Sequence, residues 1–144
     1  MKVYAFVYGS LLKDLHNHHH LNGASQVTTG SIRAKLFTHN WSYPFIRFSN
    51  SNKDRVVGEV YEVEKKVVNR NLNYLEGYHS KNNPGNLFER RYIIVQTPIG
   101  KIKAYAYRSG MRLESYMTPD MIATLSSGDW KKEYLAKNSA QTKL

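Results

Sequence analysis

Glu76 is the first residue in this chain whose surroundings point to chemistry. It lies in Leu72-Asn73-Tyr74-Leu75-Glu76-Gly77-Tyr78, at the end of a helix-like pattern. A carboxylate is unfavourable there, because the helix macrodipole is negative at its C-terminus. That placement, with Tyr74, Leu75 and Tyr78 around it, raises its pKa toward the range a general acid or base needs. On residue type alone, an exposed helix-end glutamate with no chemical role is the better reading, since most glutamates are solvated.

A second candidate is Tyr8-Gly9-Ser10-Leu11, which ends the apolar run Val3-Tyr4-Ala5-Phe6-Val7. Gly9 permits backbone angles that other residues avoid. A tight turn at this point aims several N–H groups at one spot and makes a small anion site, for a phosphate or a carboxylate. Ser10 lacks the second glycine of the Gly-x-Ser-x-Gly nucleophile elbow. The turn also lacks the Gly-x-x-x-x-Gly-Lys phosphate loop. Backbone binding is therefore expected here, rather than a serine nucleophile or a nucleoside triphosphate site.

His16, His18, His19 and His20 invite a metal reading, since His16 and His20 are spaced to share a helical face. Asp14 is the only acidic residue nearby, and no second cluster matches. A local structural or surface role is favoured, and no metal or other cofactor is expected.

The elements that must position these residues follow from periodicity. Residues 3–8 read as a strand, 27–37 as a strand with a bulge at Gly30, and 41–48 as an edge or loop segment because Pro44 cannot donate to a ladder. Residues 56–63 form a strand with Val57, Tyr61 and Val63 on one face and the glutamates on the other. Residues 64–78 carry helical spacing in Val67, Val68, Leu72 and Leu75, with Gly77 as the stop. The polar stretch 79–87 is a loop that could serve as a lid or set leaving-group preference. Residues 92–97 and 101–107 make a hairpin. Short helical pieces are expected around 12–24 and 119–125, and the polar tail from about residue 135 frays. The sum is an α+β chain, a single domain over residues 1–144 built on a strongly bent sheet or small barrel with flanking short helices.

Composition narrows the function classes. The 144 residues can bury a core in one domain. No cysteine is present, which excludes disulfides, thiolate metal sites and a cysteine nucleophile. No signal peptide or membrane-length apolar run is read, so a cytoplasmic protein without a membrane partner is expected. The 21 Lys+Arg against 11 Asp+Glu give a formal charge of +10, which attracts anions. The basic residues are dispersed, so a solvated surface is preferred to a nucleic-acid groove.

Taken together, Phe6-Val7-Tyr8-Gly9-Ser10-Leu11, Tyr43-Pro44, Gly58-Glu59-Val60-Tyr61, Leu75-Glu76-Gly77-Tyr78 and Ala104-Tyr105-Ala106-Tyr107 occur in an order that resembles the γ-glutamylcyclotransferase-like family. That family includes γ-glutamylamine cyclotransferases and the plant avirulence-induced-gene proteins. Ser127-Gly128-Asp129-Trp130 looks like the tail of its small bacterial members. The resemblance implies a compact mixed β-barrel with flanking helices. It implies that Tyr8, Gly9, Ser10 and Leu11 hold the α-carboxylate of a γ-glutamyl group and that Glu76 is the catalytic glutamate; Tyr107, at a strand end of such a barrel, is expected to wall the pocket. The implied enzyme is cofactor-independent. It releases 5-oxoproline and a free amine from a γ-glutamylamine or small γ-glutamyl peptide. Two alternatives stand beside it: a non-catalytic small-ligand-binding or regulatory domain of the same fold, and a basic nucleic-acid-binding domain.

Overall fold

The computed structural model describes residues 1–21 and 23–142. Among these residues seven strands are present: β1 (Lys2–Val7), β2 (Ser25–His39), β3 (Tyr43–Phe48), β4 (Arg55–Glu64), β5 (Phe88–Thr97), β6 (Gly100–Ser109) and β7 (Ile122–Thr124). β2, β4, β1, β6 and β5 close into a five-stranded barrel, with the ring completed where β5 returns to β2. β1 and β6 run parallel and the other neighbours antiparallel, so the barrel is mixed. The long strand β2 serves twice. Its first half pairs with β4, and its second half leaves the barrel to pair with β3 and β7.

Alternation along β1 decides what lies inside. Phe6 and Tyr8 belong to one buried cluster with Ile32, Leu36, Val56, Val60 and Val95. Ala5 and Val7 belong to another, with Tyr61, Val63, Val68, Leu72 and Tyr107. β1 is therefore buried on both faces, as its unbroken apolar run requires. The second cluster receives the helical segment that follows β4. It consists of α1 (Lys65–Val67), a π-turn (Val68–Leu72) and α2 (Asn73–Leu75), continuous in sequence. Val68 and Leu72, four residues apart, are fully buried against the barrel. The remaining helices are α3 (Met111–Tyr116) and α4 (Trp130–Thr142). Among the described residues, no helix is long and apolar enough to cross a membrane.

Several local expectations are corrected. The bulge in β2 falls between Gln26 and Thr28, and Gly30 pairs regularly with Gly58. What Gly30 provides is room: a Cβ there would stand 2.7 Å from Val95 Cγ1 and 2.9 Å from the Gln96 carbonyl. In β4, Glu59 shares a face with Tyr61, whose hydroxyl donates to Glu59 Oε1 at 3.0 Å. Val57 on that same face is exposed. Residues 122–124 are a strand rather than a helix, preceded by a 3₁₀ turn at Pro119–Met121. α4 extends through the polar tail to Thr142, and residues 143–144 lie outside the described residues. Asp129 starts that helix by accepting from the Lys132 N–H at 3.1 Å.

Candidate active site

A cavity of about 260 Å³ opens at the C-terminal end of β1. Tyr8, Gly9, Ser10 and Leu11 line one side of it and Glu76 another, so the structure brings the turn and the glutamate together, while none of His16, His18, His19 and His20 lines it. Much of the remaining wall is aromatic, from Tyr43, Phe88, Tyr105, Tyr107 and Tyr116.

The turn is held from beneath. The Leu12 N–H donates to the Gly9 carbonyl at 3.0 Å, which closes it. The backbone N–H groups of Gly9, Ser10 and Leu11 donate to no backbone carbonyl among the described residues, so they remain available to an anion. Asn17 ties the turn twice, through its N–H to the Ser10 carbonyl at 3.0 Å and its Nδ2 to Ser10 Oγ at 2.8 Å. His18 Nδ1 donates to the Leu11 carbonyl at 2.8 Å, and its ring packs on Tyr61. His19 bonds the His16 carbonyl through Nδ1. His18 and His19 thus serve local structure, and His18 buttresses the turn. Pro44 of β3 lies directly over Gly9, where an added Cβ would come within 2.7 Å of Pro44 Cγ. That contact explains why Tyr43-Pro44 and Gly9 belong together.

Glu76 is fixed by the way its helix ends. The Gly77 N–H reaches the Tyr74 carbonyl at 3.2 Å and the Tyr78 N–H the Asn73 carbonyl at 2.9 Å, a Schellman closure. Gly77 takes the positive φ of 62° that this closure demands. The Glu76 carbonyl then accepts from the Phe88 N–H at 3.0 Å, which joins the helix end to the start of β5. The side chain continues the Val68–Leu72 stripe out of the core onto the cavity wall.

Glu76 is half-buried, and burial pushes its carboxyl up to about 7. Among the described residues no side chain forms an ion pair with it. Two tyrosines respond to its charge. Burial first, and the Glu76 carboxylate second, hold the hydroxyls of Tyr8 and Tyr107 well above the ordinary phenol value. Both are therefore neutral donors. Tyr8 Oη donates to the Tyr107 carbonyl at 2.7 Å, and Tyr107 Oη to Asn73 Oδ1. Burial and a hydrogen bond with Tyr116 likewise raise the Tyr43 hydroxyl.

The loop after Glu76 is tied down rather than open. Glu89, 1% exposed, accepts from the Asn82 N–H at 3.1 Å, from Asn86 Nδ2 at 2.9 Å and from Arg91. Asn86 also bonds the His79 N–H and the Ser80 carbonyl. The lid reading of 79–87 finds no support in this bonding, although Leu87 and Phe88 at its end line the cavity.

Sequence reasoning missed Asn17, Leu113 and Tyr116 as cavity residues. Leu113 and Tyr116 come from α3, a six-residue helix without a capping signal. Asn17 was readable only as part of the histidine run.

The sequence matches the family described as "Gamma-glutamyl cyclotransferase, AIG2-like" over residues 5–132. The chain belongs to this family. Among curated proteins it is 27% identical over 138 residues to a Bacillus subtilis (strain 168) protein named "Putative gamma-glutamylcyclotransferase YkqA". That match covers 93% of this chain but 43% of the relative, so the chain spans less than half of the relative's length. The crystal structure of YkqA superposes with a TM-score of 0.73 at 24% identity, covering 96% of this chain and 43% of that one. The uncharacterized protein PH0828 from Pyrococcus horikoshii matches along nearly its whole length, with a TM-score of 0.64, 25% identity, and 95% and 97% coverage. An AIG2-like protein from Mus musculus shares the fold with a TM-score of 0.61 at 19% identity, covering 83% and 82% of the two chains.

Proposed function

We propose that this protein cyclises a γ-glutamyl group, releasing 5-oxoproline and a free amine from a γ-glutamylamine or small γ-glutamyl peptide. The observation that carries the reading is Glu76: a half-buried carboxylate without a cationic partner among the described residues, pushed up to about 7, across a cavity from a turn whose N–H groups donate to no backbone carbonyl among those residues. The family assignment supports an enzyme of this kind. The absence of cysteine accords with a cytoplasmic setting.

The N–H groups of Gly9, Ser10 and Leu11 bind the substrate α-carboxylate, with Tyr8 placing the turn. The neighbouring α-ammonium then gives a proton to the Glu76 carboxylate. The freed amine attacks the γ-carbonyl carbon and closes the five-membered lactam. As the old amide C–N bond breaks, Glu76 returns the proton to the departing nitrogen. Proton and electron pairs balance without water or cofactor. The attack is intramolecular, so holding the substrate folded supplies much of the rate advantage. A carboxyl with a pKa near 7 is suited to both halves of the shuttle.

The test is 5-oxoproline release from γ-glutamyl amino acids, γ-glutamyl-ε-lysine and simple γ-glutamylamines, with Glu76→Gln as control. Product from one class, abolished in the variant, is expected. Ligand binding without product from any member sinks the catalytic reading in favour of a binding domain, and an active Glu76→Gln protein sinks the assigned role.

A further inference from the structure

Basic residues dispersed along the sequence converge at the seam of the barrel, away from the Glu76 cavity. β2 pairs with β4 as far as Arg33 on one edge, but on the other only Ser31 and Gln96 stand in register with β5. Beyond that pair the two strands part and a groove of about 310 Å³ opens. It shares no lining residue with the Glu76 cavity. Phe48, Ile93 and Ile94 form its apolar side, and Arg33, Arg55 and Lys101 supply its charge.

Two features of this groove are costly unless something occupies it. Arg33 and Arg55 face each other directly across the antiparallel ladder, where like charges repel. Among the described residues neither arginine, nor Lys101, forms an ion pair. The adjacent acid, Asp54, accepts from the Ser49 hydroxyl at 2.6 Å instead. By contrast, Arg47 and Arg91 are matched to Glu114 and Glu89. The second feature is apolar surface left in water: Phe48 is 38% exposed and Ile94 is 51% exposed.

We propose that this groove binds a small organic phosphate, its head between Arg33, Arg55 and Lys101 and its apolar body along Phe48, Ile93 and Ile94. Three cations exceed what one carboxylate neutralises, whereas a phosphate monoester carries about −1.5 to −2 near neutral pH. Guanidinium groups also match phosphate oxygens in pairs. The volume lies at the low end for small-ligand pockets and suits a compact molecule rather than a polymer. Inorganic phosphate alone would leave the apolar side wet.

The experiment titrates the full chain at low salt with phenyl phosphate, inorganic phosphate, phenol and an oligothymidine, using calorimetry or amide chemical shifts. Phenyl phosphate is expected to bind at least about tenfold more tightly than inorganic phosphate or phenol, and R33Q/R55Q to weaken it at least about tenfold, because charge-assisted hydrogen bonds are lost. K65Q/K66Q, which removes two charges elsewhere, is expected to change nothing. Thermal melts of the single variants R33Q and R55Q serve as a second readout. Each is expected to be at least as stable as the parent at low salt, since the repulsion is relieved. The proposal is overturned if phenyl phosphate binds no better than inorganic phosphate, if R33Q/R55Q binds it as the parent does, or if no ligand binds. Tighter, arginine-dependent binding of the oligothymidine overturns it in favour of a nucleic-acid surface.

Discussion

Two carboxylates bracket the loop after the helix, and they are opposites. Glu89 is almost completely enclosed, yet burial, which works to raise its carboxyl, is outweighed by hydrogen bonds from Asn86, the Asn82 N–H and Arg91, so the group lies below its ordinary value. Glu76 keeps more exposure, has no such donors among the described residues, and is raised to about 7 by burial. The difference lies in what surrounds each oxygen rather than in how deep it sits. A buried charge with donors on every side is a structural tie. A carboxylate denied them, on the wall of a cavity, is left free to take up and release a proton.

The sharpest way to break the comparison is to neutralise each carboxylate and read both activity and stability. Glu76→Gln removes the proposed proton shuttle and keeps the shape. Turnover is expected to fall by about 10³-fold or more, within or beyond what general acid–base catalysis contributes, with the circular dichroism spectrum unchanged. Glu89→Ala strips the loop of its anchor and leaves Arg91 without its acid. A destabilisation of about 3 kcal/mol is expected in a denaturant titration, with activity per folded molecule falling less than in Glu76→Gln. If Glu89→Ala proved as stable as the parent, the structural assignment of that carboxylate would fail.

The two groups also predict opposite pH dependences of stability. The Glu89 carboxyl is lowered in the folded protein, so its contribution is present above the unfolded carboxylate pKa and is lost as pH falls through the folded value. The Glu76 carboxyl is raised, so ionising it costs stability as pH climbs from the ordinary glutamate value to about 7, after which the cost is constant. Glu76→Gln should therefore match the parent near pH 4 and exceed it by about 2 kcal/mol at pH 8, a modest figure chosen because the side chain is half-buried. Melting curves of both proteins across that range check it. A constant offset at every pH would mean that Glu76 titrates normally.

The contrast between these carboxylates was only half legible in the sequence. Gly77 marked the helix end, but residue type alone favoured an exposed glutamate at position 76, and it was the family resemblance that made Glu76 a candidate; of the neighbours read as enclosing it, Tyr74 is in fact exposed. Glu89 could not be read, because its partners Asn82, Asn86 and Arg91 adopt their places only once the loop folds back on β5. The strands were legible from alternation, which left a bent sheet or a small barrel open, and the resemblance pointed to the barrel; what no pattern announces is the Ser31–Gln96 register of the β2–β5 seam that closes it. Gly30 looked like a bulge because a glycine inside a strand has two common uses, and sequence alone does not separate a bulge from a close approach. The π-turn at Val68–Leu72 left no trace either, because Val68 and Leu72 fall on one face in either kind of helix.

A smaller test addresses the other wall of the cavity. Gly9 carries Pro44 almost in contact, and a methyl group added there would lie 2.7 Å from Pro44 Cγ. Gly9→Ala is expected to cost about 1 kcal/mol of stability, at the low end for overpacking because a proline ring can shift slightly. Its kinetic signature should differ from that of Glu76→Gln. Displacing the turn disturbs the N–H groups proposed to hold the substrate carboxylate and leaves Glu76, the proposed proton carrier, untouched. KM should rise severalfold while the pH at which turnover is half-maximal stays where it was. A shift of that pH in Gly9→Ala, with KM unchanged, would mean that the turn acts on Glu76 rather than on the substrate, and the division of labour between the two walls would have to be redrawn.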